Sequence, residues 1–318
     1  MSSTPFFLSI VIPAYNEEAN IARLLAELEQ SLNQCPDVRE YEVVVVDDHS
    51  SDRTFETIQA LAKASQGRIR GLRLSRRSGS HTALRAGIAR TLGNLVLCIA
   101  ADGQDDPAAL GAMIQKIKES CDIVWALRNK RDEPWLSKIF ASFAYGLIKV
   151  FVNSGFSEQN IANADFFMFN RPFADAINRC PERNTSLFGL LLWLGFKQGS
   201  ITYERRARIE GKSKWTLRSK MRLFKDWVIG FSGIPLKLIF WIGLWTSAVG
   251  LLYAVFILVY SLMGYAKPGW AETVILILVM GGIQMLMLGV MGEYLWRNLD
   301  ETRNRPLYFI ESTAGENE

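Results

Sequence analysis

Cysteine and histidine are scarce in this chain of 318 residues, with four of the first (Cys35, Cys98, Cys121, Cys180) and two of the second, His49 and His81. The cysteines show no CxxC or other ligand spacing, so they read as scattered reduced thiols. Two histidines leave no room for a histidine-rich centre, which argues against a transition-metal enzyme. Glycine patterns for phosphate binding are missing too. The first apolar run is followed by Pro13-Ala-Tyr-Asn-Glu17 rather than GxGxxG, and no GxxxxGK[ST] occurs. Hydride transfer on a dinucleotide and P-loop ATP hydrolysis both lose their usual cradle. The N-terminus has no basic n-region, and Glu17 and Glu18 follow its short apolar stretch at once. No secretory signal is expected, and the first two-thirds of the chain should stay in the cytosol.

Charge is absent from two long stretches, Leu238 to Ala266 and Thr273 to Gly292, in a chain that is 21% charged and 49% hydrophobic. As helices these runs reach roughly 43 Å and 30 Å, against a bilayer core of about 30 Å. Two transmembrane helices are expected within residues 234–296. Lys237 precedes the first and Arg297, Arg303 and Arg305 follow the second, while the linking turn holds only Lys267. The excess of positive charge at both flanks predicts that both lie in the cytoplasm. Residues 297–318 then form a cytosolic tail. Its segment Arg305-Pro-Leu-Tyr-Phe-Ile-Glu311 is β-prone and suited to adding to a sheet edge, that of a neighbouring subunit included, so a homo-oligomer is allowed.

The remainder, residues 1–215, alternates strand and helix patterns. Phe7–Ile12, Tyr41–Val46, Ile69–Leu74 and Leu95–Ala100 are apolar, β-rich runs. Between them Asn20–Gln34, Thr54–Ala64 and His81–Leu92 carry helical spacing. Such strands, buried on both faces, imply an α/β fold with a mostly parallel sheet. Ligands gather beyond the carboxyl ends of strands in such sheets. Pro13–Glu17, Asp47–Asp52 and Asp102–Asp106 occupy those ends. Asp47 and Asp48 suit hydrogen bonds from ribose hydroxyls or a base N–H; Ser50, Ser51 and Asp52 also suit turn formation and helix capping. Asp102 and Gln104 place oxygen ligands two residues apart, which suits Mg²⁺ or Mn²⁺ bridging a diphosphate, or a simple turn.

Two segments pair basic with greasy residues. Trp135 to Val152 is amphipathic, and Thr216 to Ser232 combines Arg218, Lys220, Arg222 and Lys225 with Leu217, Met221, Leu223, Phe224, Trp227, Val228 and Phe231. The second abuts the first apolar run, so residues 216–233 read as an interfacial helix on the membrane surface. With Arg205, Arg206, Arg208, Lys212 and Lys214 they form the strongest charge run in the chain. It suits nucleic acid, a phosphorylated substrate or anionic headgroups. Adjacency to a membrane anchor disfavours nucleic acid, and Gly211 and Ser213 suggest a loop folding over a phosphate.

Val11-Ile-Pro-Ala-Tyr-Asn-Glu-Glu18, Val45-Val-Asp-Asp-His-Ser-Ser-Asp-Arg-Thr54, Ala101-Asp-Gly-Gln-Asp-Asp-Pro107 and Gly211-Lys-Ser-Lys-Trp215 occur in an order that resembles family 2 glycosyltransferases. The ending Gly292-Glu-Tyr-Leu-Trp, followed by Asn304-Arg-Pro-Leu-Tyr308, is similar to the polyprenyl-phosphate glycosyltransferases, the group of dolichol-phosphate mannose synthase and bactoprenol glucosyltransferase. The resemblance implies a GT-A fold and inverting transfer of a hexose, glucose from UDP-glucose being preferred, onto a polyprenyl phosphate such as undecaprenyl phosphate. It places the enzyme in the inner membrane with its catalytic domain cytoplasmic. Pro13, Ala14, Tyr15, Glu17 and Asp48 match nucleotide-holding positions, and Asp47 and Gly79 join that set. Asp102 and Gln104 match a metal-binding DxDxQ element whose first Asp is Ala100 here. Asp165 matches an acidic position of the sugar-acceptor region, while Phe167 stands where arginine is expected. Arg205, Arg206, Arg208, Ser213 and Lys214 match a loop that closes over phosphates. In that scheme Asp102, Asp165, Arg206 and Lys214 are catalytic, and Arg205, Arg208 and Ser213 meet the acceptor phosphate. A non-catalytic nucleotide-sugar-binding scaffold and a processive polysaccharide synthase are the rival readings; the QxxRW element of the latter is missing.

Overall fold

The computed structural model describes residues 5–128, 166–183, 185–203, 206, 234–265 and 269–315. In chain order these hold β1 (Phe6–Ala14), α1 (Ile21–Asn33), β2 (Val38–Asp47), α2 (Thr54–Ala64), β3 (Ile69–Leu74), α3 (Ser80–Ile88), β4 (Leu95–Cys98), α4 (Leu110–Lys118) and β5 (Ile123–Arg128). After these come β6 (Phe167–Asn170), α5 (Arg171–Asn178), α6 (Leu187–Trp193), β7 (Gln198–Tyr203), α7 (Ile234–Leu262), α8 (Trp270–Thr302) and β8 (Ile310–Ala314). The chain divides into two compact units, Met1–Lys220 with Pro306–Glu318, and Met221–Arg305.

Eight strands of the first unit form one sheet in the order β7-β5-β6-β4-β1-β2-β3-β8. The four central strands, β4, β1, β2 and β3, run parallel, with Ala14 opposite Asp47 and Val11 opposite Cys98. β6 is antiparallel to both its neighbours, and β7 parallel to β5. Alternate residues of a strand face opposite sides of a sheet. Both sides are covered here, so the alternation vanishes and the strands read as unbroken apolar runs. Leu8, Ile10 and Ile12 of β1 join Val43 and Val45 of β2 and the buried stripe of α1 (Ile21, Leu24, Leu28) in one core cluster. Val44 and Val46 turn the other way, with Leu72, Leu74 and the small residues Ala83 and Ala86 of α3. This is the expected α/β, GT-A-like, mostly parallel architecture. All four cysteines are free.

Small residues let α3 approach the sheet closely. A Cβ at Gly87 would lie 2.4 Å from Val11 Cγ1 and 3.1 Å from Val46 Cγ2. α3 stops at Ile88, short of the expected Leu92, where the Thr91 hydroxyl donates to the Ile88 carbonyl at 2.7 Å. The position where arginine was expected, Phe167, is wholly buried in β6 and packs against Trp125 and Phe188 at ring-centroid distances of 5.3 and 5.9 Å. It is a core residue. The expected interfacial helices lie outside the described residues.

In the second unit α7 has 29 residues and α8 has 33, which as helices reach about 43 and 50 Å. The spans Pro235–Tyr260 and Ile275–Thr302 have mean hydropathy 2.2, and neither buries its most apolar window within the protein. Leu252, Trp245 and Leu286 are 71%, 67% and 60% exposed. Helices this long, apolar and uncovered are suited to lipid rather than to a soluble core.

The tail returns to the sheet after α8. β8 pairs antiparallel with β3, Leu72 lying opposite Thr313 and Gly71 opposite Ala314. Of the β-prone segment expected over Arg305–Glu311 only Ile310 and Glu311 are strand, and the edge they join is in the same chain. Tyr308 and Ile310 pack on the Val44–Leu74 cluster. The sheet therefore holds segments of the chain from both before α7 and after α8.

The close contact of α3 with β1 and β2 generates a test. Gly87→Ala is expected to cost about 1–3 kcal/mol through overpacking against stiff valines, read as a lowered melting temperature; an unchanged one would mean α3 is free to step away.

Candidate functional site

Where parallel strands end, their hydrogen-bond ladder ends too, and the loops beyond must find other partners. The exits of β1 and β2 find them in each other. Asn16, at a left-handed φ of 52°, donates its N–H to Ser50 Oγ at 2.9 Å, and its side-chain oxygen accepts from Ser51 N at 2.9 Å. Glu17 N donates to Thr54 Oγ1 at 2.9 Å, and the Glu17 carboxylate accepts from Asn20 Nδ2 at 2.7 Å. Asp52 accepts from Thr54 N at 3.1 Å and Thr54 Oγ1 at 2.5 Å, the turn expected of it. The loops carrying Pro13, Ala14, Tyr15 and Glu17 are thereby fixed to the loop carrying Asp47 and Asp48.

The two aspartates do different things. Asp47 is 0% exposed; its Oδ1 accepts from Ser50 N at 3.0 Å, and its Oδ2 faces Arg73 Nε at 3.8 Å. That carboxylate is buried and holds the loop. Asp48 donates its N–H to the Ala14 carbonyl at 2.8 Å, and its carboxylate spans two amides, Ser78 N at 2.6 Å and Gly79 N at 2.8 Å. Each oxygen keeps a second lone-pair direction beyond these bonds. Gly79 has φ 94° and ψ 157°, a conformation that essentially only glycine adopts. It sits one residue ahead of α3, so Asp48 fixes both the glycine and the start of that helix.

Burial raises the pKa of Asp48 above 3.8, opposed by the Ser78 and Gly79 amides and by Arg77. Burial raises that of Asp47 as well, opposed by Ser50 and Arg73. For an acid whose folded pKa is raised, the stability contribution is complete below the unfolded value and is lost as pH rises through the folded one. Both carboxylates therefore contribute less to stability as pH rises, and perturbed carboxylates of that kind gather at functional sites.

The exit of β3 adds residues that the sequence pattern did not single out. Arg77 places its guanidinium carbon 4.1 Å from the centre of the Tyr15 ring, a close cation–π contact. Arg76 and Arg77 follow a strand end just as the three acidic loops do, and that shared position was the available signal. His81, at the start of α3, accepts from Leu187 N at 3.4 Å and stands edge-on to Phe188. Burial lowers its pKa to about 4, so it is a neutral fastening between α3 and α6.

Beyond β4, Asp102 Oδ1 accepts from Gln104 N at 3.2 Å, and the Gln104 carbonyl accepts from Arg206 N at 3.0 Å. Arg206 also bridges Glu27 of α1, at 2.6 Å, and Asp106, at 2.9 Å, while Arg23 reaches the other oxygen of Glu27 at 2.9 Å. Tyr203 donates to the buried Asp105. Arg206 is thus brought to the Asp102–Asp106 loop from about a hundred residues away. Among the described residues no three His, Cys, Asp or Glu side chains group as a metal site. A single carboxylate with an amide nearby nevertheless fits a cation that takes its remaining ligands from phosphates and water, the habit of Mg²⁺ in nucleotide sites. Asp165, Arg205, Arg208, Ser213 and Lys214 lie outside the described residues.

Residues 9–177 match the family described as Glycosyl transferase family 2. The chain is 35% identical to an uncharacterized glycosyltransferase of Synechocystis sp., covering 97% of this chain and 96% of that one. It is 32% identical to the prophage bactoprenol glucosyl transferase homolog of Escherichia coli K12, covering 96% and 98%. Against the bactoprenol glucosyl transferase of Shigella phage SfX the figures are 31%, 96% and 99%. Among solved structures, Mycobacterium tuberculosis glucosyl-3-phosphoglycerate synthase in complex with Mn²⁺, UDP and phosphoglyceric acid superposes with a TM-score of 0.49 at 17% identity, covering 70% of this chain and 76% of that one. With the strand exits laced as described and full-length relatives of this kind, the chain belongs to glycosyl transferase family 2.

Proposed function

We propose that this glycosyltransferase moves glucose from UDP-glucose to a polyprenyl phosphate, undecaprenyl phosphate being the carrier, at the cytoplasmic face of the inner membrane. The observation that carries the reading is the union, in one chain, of the Asp48-centred strand-exit site with two uncovered apolar helices. Support for the sugar and the lipid comes from full-length relatives named bactoprenol glucosyl transferases.

A phosphomonoester acceptor carries about −1.5 to −2 charges near neutral pH, so it needs little activation as a nucleophile. What remains is alignment with the anomeric carbon and stabilisation of the departing diphosphate. Pro13, Ala14, Tyr15, Glu17 and Asp48 would hold the nucleoside, Asp47 and Gly79 keeping their loops in shape. Asp102 and Gln104 would hold Mg²⁺ or Mn²⁺, which when bound supplies positive charge at the diphosphate. Arg206 and Lys214 would add to that charge from the basic loop, and Arg205, Arg208 and Ser213 would meet the acceptor phosphate. Asp165 would hold a sugar hydroxyl or orient the acceptor. A single displacement inverts the anomeric centre, so an α-linked donor gives a β-linked lipid phosphate.

The deciding experiment offers a panel of labelled nucleotide sugars with undecaprenyl phosphate to membranes containing the chain. Label from UDP-glucose should pass to the lipid with β configuration by NMR; no transfer from any donor would return the reading to a binding scaffold, and a retained configuration would refute single displacement. Asp102→Ala is expected to reduce turnover by about a hundredfold or more, the scale of losing a main electrostatic contact to the leaving group, with membrane insertion intact. Activity near that of the unaltered chain would remove Asp102 from the site. Donor affinity should also follow the charge of Asp48. Since its pKa lies above 3.8, donor KM should begin to rise, as pH falls, at a higher pH than an ordinary aspartate would give. Asp48→Asn should raise donor KM at neutral pH and abolish that acid limb.

A further inference from the structure

β8 brings one charged side chain, Glu311, to the back of the donor loop. Its Oε2 accepts from Arg73 Nε at 3.1 Å and lies 3.5 Å from His49 Nδ1. Each of these partners holds a different part of the loop after β2. Arg73 faces the buried Asp47 Oδ2 at 3.8 Å, donates to the Ser50 carbonyl at 3.3 Å, and rests over the Phe55 ring with its guanidinium carbon 5.5 Å from the centre. His49 donates from Nδ1 to the Leu74 carbonyl at 3.1 Å and has a φ of 58°.

That left-handed φ is what lets the chain reverse between Asp48, which points its carboxylate at Ser78 and Gly79, and Ser50, whose N–H turns back to Asp47. Such a backbone is costly outside glycine and persists where its surroundings over-determine it. Here the surroundings are β3, through Leu74 and Arg73, and β8, through Glu311. Asp47 Oδ2 is completely buried and has no hydrogen-bond donor among the described residues, so Arg73 is the positive group that compensates it. Glu311 in turn fixes where that guanidinium sits. The backbone of the tail adds to this, Ser75 N donating to the Phe309 carbonyl at 2.9 Å just past the end of β3.

We infer that Glu311 is a positioning residue for the nucleotide site: through Arg73 and His49 it sets the backbone of Asp47–Ser50, and so the carboxylate of Asp48, without touching the donor. The inference rests on the donor-site reading above. It makes the tail strand, which follows the second apolar helix in the chain, a working part of nucleotide binding.

The test uses the full-length chain in membranes, with Glu311→Ala, Glu311→Gln and, as a control on the same face of β8, Thr313→Ala. A half-exposed ion pair of this kind supports an effect of about threefold to fivefold. Glu311→Ala should raise the KM for UDP-glucose, and the dissociation constant for UDP by calorimetry, by that factor. The KM for the polyprenyl phosphate, kcat and the melting temperature should stay unchanged. Glu311→Gln, which keeps the length and one acceptor oxygen, should recover part of the loss, and Thr313→Ala should lose nothing. If Glu311→Ala binds UDP as tightly as the unaltered chain, or if both KM values, kcat and the melting temperature all deteriorate together, Glu311 is an ordinary edge residue and the inference fails alone. If the unaltered chain neither binds UDP nor uses UDP-glucose, the donor-site reading fails, and the inference falls with it.

Discussion

Backbone groups left over where four parallel strands stop are the constraint on which this site is built. β4, β1, β2 and β3 run the same way, so their carboxyl ends come out at one edge of the sheet, and none of the exit loops can continue the ladder. Side chains take over: Asn16 with Ser50 and Ser51, Glu17 with Thr54, Asp47 with Ser50, Asp48 with Ser78 and Gly79. Each bond is modest, of order 0.5–1.5 kcal/mol net. Together they join three loops from different strands into one surface whose shape is set before a ligand arrives. Preorganisation of that sort lowers the entropy cost of binding.

Such lacing explains why the site was partly legible in the sequence. Strand runs ending in Asp47-Asp48 or Ala101-Asp102 announce themselves, because a run of β-branched or aliphatic residues stops there at carboxylates that need polar partners. β1 to β4 and α1 to α3 follow from the same logic and appear close to their expected bounds. What the pattern could not separate was the two adjacent aspartates. Both are buried, and what separates them is the partner each carboxylate finds, Ser50 and Arg73 for one and Ser78 and Gly79 for the other, most of them about thirty residues further on. Phe167 was legible as a departure, while its reason, an aromatic core shared with Trp125 and Phe188, required knowing that β6 inserts between β4 and β5.

Long-range contacts account for the other gaps. Arg206 meets Glu27 and Asp106, and Glu311 meets Arg73 and His49, across separations that no spacing rule encodes. The β-prone character of the tail was visible, yet its place beside β3 follows from sheet order. The apolar helices were the easiest part to read, since length and absence of charge settle their solvent preference locally. The chain thus joins a unit shaped by polar lacing to one whose exposed surface is apolar.

Translation delivers β8 last, after both apolar helices have been synthesised. Until then the outer edge of β3 is an open row of amides and carbonyls, the kind of surface that invites pairing with foreign strands during biogenesis. Completion of the sheet is therefore tied by the order of synthesis to manufacture of the two apolar helices. A ribosome that stalls within the helices releases a product with an unfinished sheet, conspicuous to chaperones and proteases, rather than a complete sheet that lacks its apolar helices.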